Sequence, residues 1–257
     1  YGTALAVSLP DCIDVGEEFN LTARLVDPNG PVVGATIELY RKGPSDANFS
    51  LVDTEVTNSS GYAVFTLTEI ELGQVSYNVS FPGDPTRDPA YELVTRWVAN
   101  FSVDAPDELV VELGTTEQMT ITLNATTGYS GTVTLEFDAP YGVEVSDPGP
   151  IDPPATVEVN VTAYEFATPG NYTMVVRAVN VRGTTREDSV TLHLYRVTVD
   201  VGQPTLRDQM GNLQTVFRRG QVAIVEVNFT LQPNGYRDVV NALLVFVLTD
   251  PSGEMVG

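Results

Sequence analysis

Apolar and polar residues alternate along most of this chain. In Phe19-Asn20-Leu21-Thr22-Ala23-Arg24-Leu25 the odd positions are apolar, and the same parity runs from Val75 through Tyr77 and Val79 to Phe81. Val133, Leu135 and Phe137 alternate with Thr132, Thr134 and Glu136, and Val157, Val159 and Val161 with Glu158 and Asn160. Tyr172, Met174, Val176 and Ala178 alternate with Asn171, Thr173 and Arg177, and Val190, Leu192 and Leu194 with Thr191, His193 and Tyr195. Successive side chains leave opposite faces of a strand, so this period of two predicts strands with one dry and one wet face. Turn residues punctuate the runs: Asp27-Pro28-Asn29-Gly30, Ser59-Ser60-Gly61, Pro82-Gly83-Asp84, Thr127-Gly128-Tyr129, Pro148-Gly149-Pro150, Pro169-Gly170-Asn171 and Arg182-Gly183. Their Gly and Pro supply turn angles and break helices. No amphipathic helix is legible.

The runs fall into sets. Strands are predicted near 3–8, 18–26, 35–41, 50–56, 62–68, 74–81 and 91–99, then near 101–104, 108–113, 117–124, 132–137, 142–146, 156–162, 171–179 and 188–195. Each set spans about 95 residues, the size of one immunoglobulin-like sandwich. The predicted fold is therefore all-β, with tandem immunoglobulin-like β-sandwich domains over 1–100 and 101–195. A third set, near 196–202, 214–217, 221–231 and 242–249, occupies 196–257. Half a sandwich leaves its core wet, at about 25 cal/mol per Å² of apolar surface. The last sandwich is thus expected to be incomplete here, either cut or closed by strands of another chain. The DPNG turn after Phe19–Val26 has an echo in the Asp250-Pro251-Ser252-Gly253 turn after Leu243–Thr249, which fits either shared ancestry or shared turn grammar.

Composition adds constraints. With 42% hydrophobic and 18% charged residues the chain can bury cores. No apolar run approaches the roughly 18 residues of a membrane span. The chain opens on Tyr1, so any signal peptide is expected to be already removed. The net charge of −21 makes nucleic acid and anionic lipid poor partners. Residues 1–102 carry −9, 103–195 carry −11 and 196–257 only −1, which makes the third segment the best contact surface between like molecules. Cys12, the one cysteine, cannot form an intrachain disulfide and reads as a small buried residue, with an intermolecular bridge as the alternative. One lysine against 12 arginines, with 17 prolines, is compatible with a thermophile.

Gly16-Glu17-Glu18-Phe19-Asn20-Leu21-Thr22-Ala23, Asp27 to Ile37, Thr57 to Leu67 and Gly73 to Gly83 carry a resemblance. In order and spacing they resemble the bacterial and archaeal Ig-like domains of invasin-type surface proteins. Gly128-Tyr129-Ser130-Gly131-Thr132-Val133-Thr134-Leu135, Tyr141-Gly142-Val143 and Thr168 to Thr173 are similar to a related Ig-like type of archaeal surface proteins. Asp208-Gln209-Met210-Gly211-Asn212 and the Asp250 turn are similar to an archaeal surface module. The resemblance implies an extracellular structural or adhesive role without chemistry of its own.

Nine Asn-x-Ser/Thr sequons occur, at Asn20, Asn48, Asn58, Asn78, Asn100, Asn124, Asn160, Asn171 and Asn228. With 14 Asn, 12 Ser and 29 Thr in 257 residues, chance gives roughly 2. A glycan must point into solvent, and Asn20, Asn78, Asn160, Asn171 and Asn228 have the polar parity, whereas Asn48 and Asn58 read as turns and Asn100 as the first domain junction. Most of the nine are expected to carry N-linked glycans. Catalytic machinery is not legible. The lone histidine, His193, has outward parity and reads as a solvent-facing spacer; with one His and one Cys no His/Cys zinc cluster forms, and no nucleophile elbow or phosphate loop is present. No cofactor is expected unless it is calcium, for which Asp84, Asp88, Asp147 and Asp152 in acidic loops are weak candidates without EF-hand spacing.

The expectation is a cell-surface, non-enzymatic protein: a self-assembling, N-glycosylated subunit of an archaeal S-layer or surface filament. Its partners would be copies of itself and other surface proteins. The alternatives are an adhesin-type binding module and the spacer stalk of a larger surface protein.

Overall fold

The computed structural model describes residues 2–216 and 223–232, and its regular elements are all strands. The first sandwich contains β1 (Ala4–Ser8), β2 (Cys12–Asp14), β3 (Glu18–Asp27), β4 (Gly30–Pro31), β5 (Thr36–Lys42), β6 (Ser50–Val56), β7 (Tyr62–Thr68), β8 (Gly73–Phe81) and β9 (Ala90–Ala99). One sheet joins β1, β3 and β7, with β4 folded back on β3; the other has the order β2-β9-β8-β5-β6. The second sandwich contains β10 (Phe101–Asp104), β11 (Glu108–Glu112), β12 (Thr115–Ala125), β13 (Val133–Asp138), β14 (Val143–Val145), β15 (Ala155–Ala163), β16 (Gly170–Asn180) and β17 (Thr185–Tyr195). Its sheets have the orders β10-β12-β15-β14 and β11-β17-β16-β13.

Both sandwiches share one topological device. The chain leaves its first strand in one sheet and crosses to the other, where a short strand runs parallel to the last strand of the domain: β2 beside β9, and β11 beside β17. The other pairings in both sandwiches are antiparallel. Four strands face a three-stranded set plus that parallel addition in the second sandwich, which is the immunoglobulin arrangement. Tyr172, near the start of β16, donates its hydroxyl to the Thr168 carbonyl at 3.0 Å. That contact is the tyrosine corner of this fold.

Parity becomes core directly. On β3, Phe19, Leu21, Ala23 and Leu25 face in, and they meet Ile37, Leu39, Phe65, Val75, Tyr77 and Val79 from the other strands. In the second sandwich Met119, Ile121, Leu123, Val159, Val161, Met174, Val176, Val190 and Leu192 form the equivalent cluster. Each large side chain so enclosed contributes about 1.5–3 kcal/mol. One charged residue enters the first domain's interior: Glu69, buried, accepts Arg41 Nε and Nη2 at 2.7 and 2.6 Å and the Tyr77 hydroxyl at 2.5 Å. Burial, then this carboxylate, push the Tyr77 hydroxyl well above its usual range.

Beyond Tyr195 the described segment forms two antiparallel pairs: β18 (Thr198–Val201) with β21 (Phe229–Gln232), and β19 (Thr205–Arg207) with β20 (Ile224–Glu226). Among the described side chains none after Tyr195 is buried, and Met210, Leu213 and Val216 are largely exposed. Over 214–216, the described part of the strand expected at 214–217, no strand is formed; Leu213 only bridges Arg207. From residue 223, where the expected single run at 221–231 becomes described, it is two strands broken at Val227-Asn228, opposite Pro204, which has no N–H for a ladder. The strand expected at 242–249 lies outside the described residues.

Candidate functional site at the joint between the sandwiches

One residue, Asn100, separates β9 from β10, and its neighbours Ala99 and Phe101 are buried. The Asn100 N–H donates to Thr126 Oγ1 at 2.8 Å, while its carbonyl accepts the Thr126 N–H at 2.9 Å. The linker is thus tied to the turn that follows β12.

The main contact comes from β2. Its three residues are all buried: Ile13 points into the first core, and Cys12 and Asp14 take the opposite parity. Asp14, 5% exposed, accepts four hydrogen bonds from the turn between β16 and β17. These come from Asn180 Nδ2 at 2.8 Å, Arg182 Nε and Nη2 at 2.7 Å each, and Thr184 Oγ1 at 2.8 Å. A desolvated carboxylate is costly unless its lone pairs are filled, and here they are. Burial alone pushes the Asp14 carboxyl up. The hydrogen bonds from Arg182, Asn180 and Thr184, with the Arg182 charge, outweigh burial and hold it below its ordinary value.

The donor turn is shaped locally. Asn180 Oδ1 accepts the N–H groups of Arg182 and Thr184 at 2.9 and 3.0 Å, and Gly183 supplies a φ of +89° that other residues resist. Arg182 spans the contact: Nη1 donates to the Ser130 carbonyl at 2.8 Å, and its guanidinium lies 5.5 Å from the Tyr129 ring centre. Arg186 extends the seam to Asn100 Oδ1 at 3.1 Å and Glu17 Oε1 at 3.2 Å, and stacks over Phe101 at 5.6 Å. Trp97 lies against Gly128, where a Cβ would fall 2.1 Å from the indole Cγ. Burial pushes the Cys12 thiol up, beside Ser130 of the second sandwich. A cleft of about 370 Å³ flanks the seam, with Pro10, Glu18 and Asn20 on its first-sandwich side and Arg182 and Thr184 on the other.

No protein-family model matches the chain, and no curated protein matches it. Solved structures do. Salmonella α-2-macroglobulin reacted with methylamine aligns at 11% identity and TM-score 0.32 over 81% of this chain and 17% of that one. The D0–D1 domain of intimin aligns at 18% identity and TM-score 0.30, over 74% of this chain and 97% of that one. Titin domains I67–I69 align at 7% identity and TM-score 0.37, over 84% and 82%. The chain thus spans under a fifth of the macroglobulin. At such scores the immunoglobulin-like assignment rests on the strand pairing within this chain.

The nine sequon asparagines do not converge. Asn20, Asn48, Asn58, Asn124, Asn160, Asn171 and Asn228 are exposed. Asn228 lies between β20 and β21 instead of within a strand, because of the break opposite Pro204. Asn78 is half-buried in the middle of a five-stranded sheet, with Oδ1 enclosed and unpartnered, and Asn100 sits half-buried in the joint against Arg186. The acidic loops are also separate. Asp84 is occupied by the Thr86 hydroxyl and N–H, each at 2.7 Å, and by Arg87 at 2.9 Å, and these bonds lower its pKa to about 2. Asp88 follows that turn, and its carbonyl accepts Thr3 Oγ1 at 2.7 Å. Asp147 accepts the Gly149 N–H at 2.8 Å, and Asp152 is exposed beyond it. Among the described residues no three His, Cys, Asp or Glu side chains gather as a metal site would require.

His193 is not the solvent-facing spacer its parity predicts. It is 9% exposed, because β11 pairs alongside β17 and brings Glu108 to 3.4 Å of Nε2, while Asn171 on β16 meets Nδ1 at 2.9 Å. β2 is too short to alternate, so neither it nor Asp14 is legible in the sequence. Arg182-Gly183 is legible there as a turn only. The signal available was the pair Asn180 and Gly183, which marks a side-chain-capped turn able to present the residue between them.

Proposed function

We propose that this chain is an extracellular structural protein: a stiff tandem of sandwiches that assembles with copies of itself into a surface layer or filament and carries N-linked glycans. The observation that carries the reading is the seam around Asp14. Domain interfaces within a chain ordinarily permit relative motion. Here the linker is one residue, and a buried carboxylate on one sandwich takes all its donors from the other. Rotation about the linker would break those four hydrogen bonds and the ion pair with Arg182 together. A repeating unit that must transmit register or load along an assembly benefits from such a joint. The density of exposed sequons and the net charge of −21 fit an outward-facing surface.

Electron microscopy of the purified protein over a range of salt and calcium concentrations tests the proposal. Ordered sheets or fibres are expected. A protein that stays monomeric in every condition overturns the assembly reading. The same stiffness would serve a spacer stalk, which in that experiment gives isolated rods.

A further inference from the structure

Lys42 is the single lysine of 257 residues. It ends β5 on the outer face of the five-stranded sheet, opposite Ser76 of β8. Arg41, Arg87, Arg177, Arg182 and Arg186 each pair with a carboxylate. Lys42, half-buried in a region carrying 14 acids against 5 bases, makes no ion pair among the described residues.

The surroundings of Lys42 form a groove of about 500 Å³, lined chiefly by Lys42, Phe49, Gln74, Ser76, Leu93 and Trp97. Register explains the convergence. Gln74 lies opposite Trp97 and Ser76 opposite Thr95 across the β8–β9 ladder, and Asn78 opposite Leu93. Their side chains therefore share one face. Phe49 and Leu93 are 40% and 58% exposed, so the apolar wall is open to solvent. Ser76 Oγ, in the groove, and Thr95 Oγ1, on the next strand, lie 2.8 Å apart and form a hydroxyl pair. Trp97 is braced from behind by Gly128 of the second sandwich, so the joint fixes the indole before any ligand arrives.

We propose that this groove binds a carboxylate-bearing sugar, a hexuronate unit of an acidic polysaccharide. A pyranose presents an apolar C–H face, which suits the Trp97, Phe49 and Leu93 wall, and an equatorial rim of hydroxyls, which suits the Gln74 amide and the Ser76–Thr95 pair. Its carboxylate supplies the partner that the Lys42 ammonium lacks, through a charge-assisted hydrogen bond. The volume lies within the range of small-ligand sites and accommodates one or two rings. Asp46, which accepts the N–H of the groove residue Gly43 at 2.7 Å, is paired with Arg41 at 2.9 Å, and exposed charges more than about 8 Å away are screened at physiological salt, so the negative charge opposes an acidic ligand only weakly here. A rigid aromatic wall also keeps the entropic cost of binding low.

Calorimetric titration of the whole chain with tri-galacturonate, and with the same trisaccharide reduced at its carboxyl groups, tests the assignment. Tri-galacturonate is expected to bind saturably and at least tenfold more tightly than the reduced form. Lys42→Gln is expected to weaken the acidic ligand about tenfold and leave the reduced one unchanged; Phe49→Ala is expected to weaken both. Unchanged melting of both variants separates lost contacts from lost folding; if one melts lower, Lys42→Arg, which keeps the charge, is expected to retain binding. No saturable binding at millimolar tri-galacturonate, equal binding of the two trisaccharides, or a Lys42→Gln variant that binds like the parent each overturns the proposal.

Discussion

Asp14 is a buried carboxylate with four donors, and that number decides its behaviour. Its folded pKa lies below the ordinary 3.8. The sign follows from linkage. The stability it contributes is present in full above the unfolded pKa and is lost as pH falls below about 3.8 and through the folded value. Other acids titrate in the same window, among them Asp84 at about 2. Comparison with Asp14→Asn isolates the one group. The stability difference between parent and variant, measured by thermal melting, is expected to be constant well above the ordinary 3.8 and to shrink as pH falls below it. A difference that does not change with pH would mean that Asp14 is not held as a charge by Arg182. Asp14 itself was not legible as a site. It is one of 34 acids, and nothing in its neighbours distinguishes a carboxylate that will be desolvated from one that will be hydrated.

At the scale of elements, alternation was sufficient for long strands and insufficient for short ones. β3, β8, β16 and β17 each run nine or more residues, so their period is visible and their inward sets are the observed core. β2 has three residues, all buried, because one face meets its own core and the other meets the next sandwich. A two-sided burial erases the period. His193 was misread for a related reason: Glu108 and Asn171, on the two flanking strands of its own sheet, close over its ring. The turn containing Gly128 was legible as a turn, but its contact with Trp97 was not. Gly128→Ala tests that contact. The residue sits at φ +84°, unfavourable for Ala, and its Cβ would meet the indole at 2.1 Å. Gly128 belongs to neither buried core, so calorimetry is expected to show unfolding split into two transitions, with a loss of roughly 2 kcal/mol or more shared between strain in this turn and lost coupling. A single unshifted transition would mean that the Trp97 contact does not couple the domains.

At the scale of the whole molecule, the chain is two immunoglobulin-like sandwiches in a row with a third strand-paired segment following. The sequons spread over all three, but not equally. A glycan needs an exposed amide, and Asn78 and Asn100 do not offer one as freely: the first is enclosed in a sheet and the second wedged in the joint. Peptide mapping of glycoprotein from the natural host is expected to find occupancy at Asn20, Asn48, Asn58, Asn124 and Asn160 above that at Asn78 and Asn100. Full occupancy at Asn100 would require the Arg186 contact to open.

The sequence by itself determined that this protein is built of strands, where most of them run, which faces are dry and how many residues make a sandwich. Those properties follow from a period of two and from turn residues, both of which are local. The tertiary structure decided the rest. It brought Asp14 to a turn more than 160 residues away, drew Lys42 and Trp97 to one face, and buried His193 and parts of Asn78 and Asn100. Burial and partnership depend on which strand lies beside which, and a one-dimensional pattern of apolar and polar residues does not encode the neighbour on the far side of a ladder.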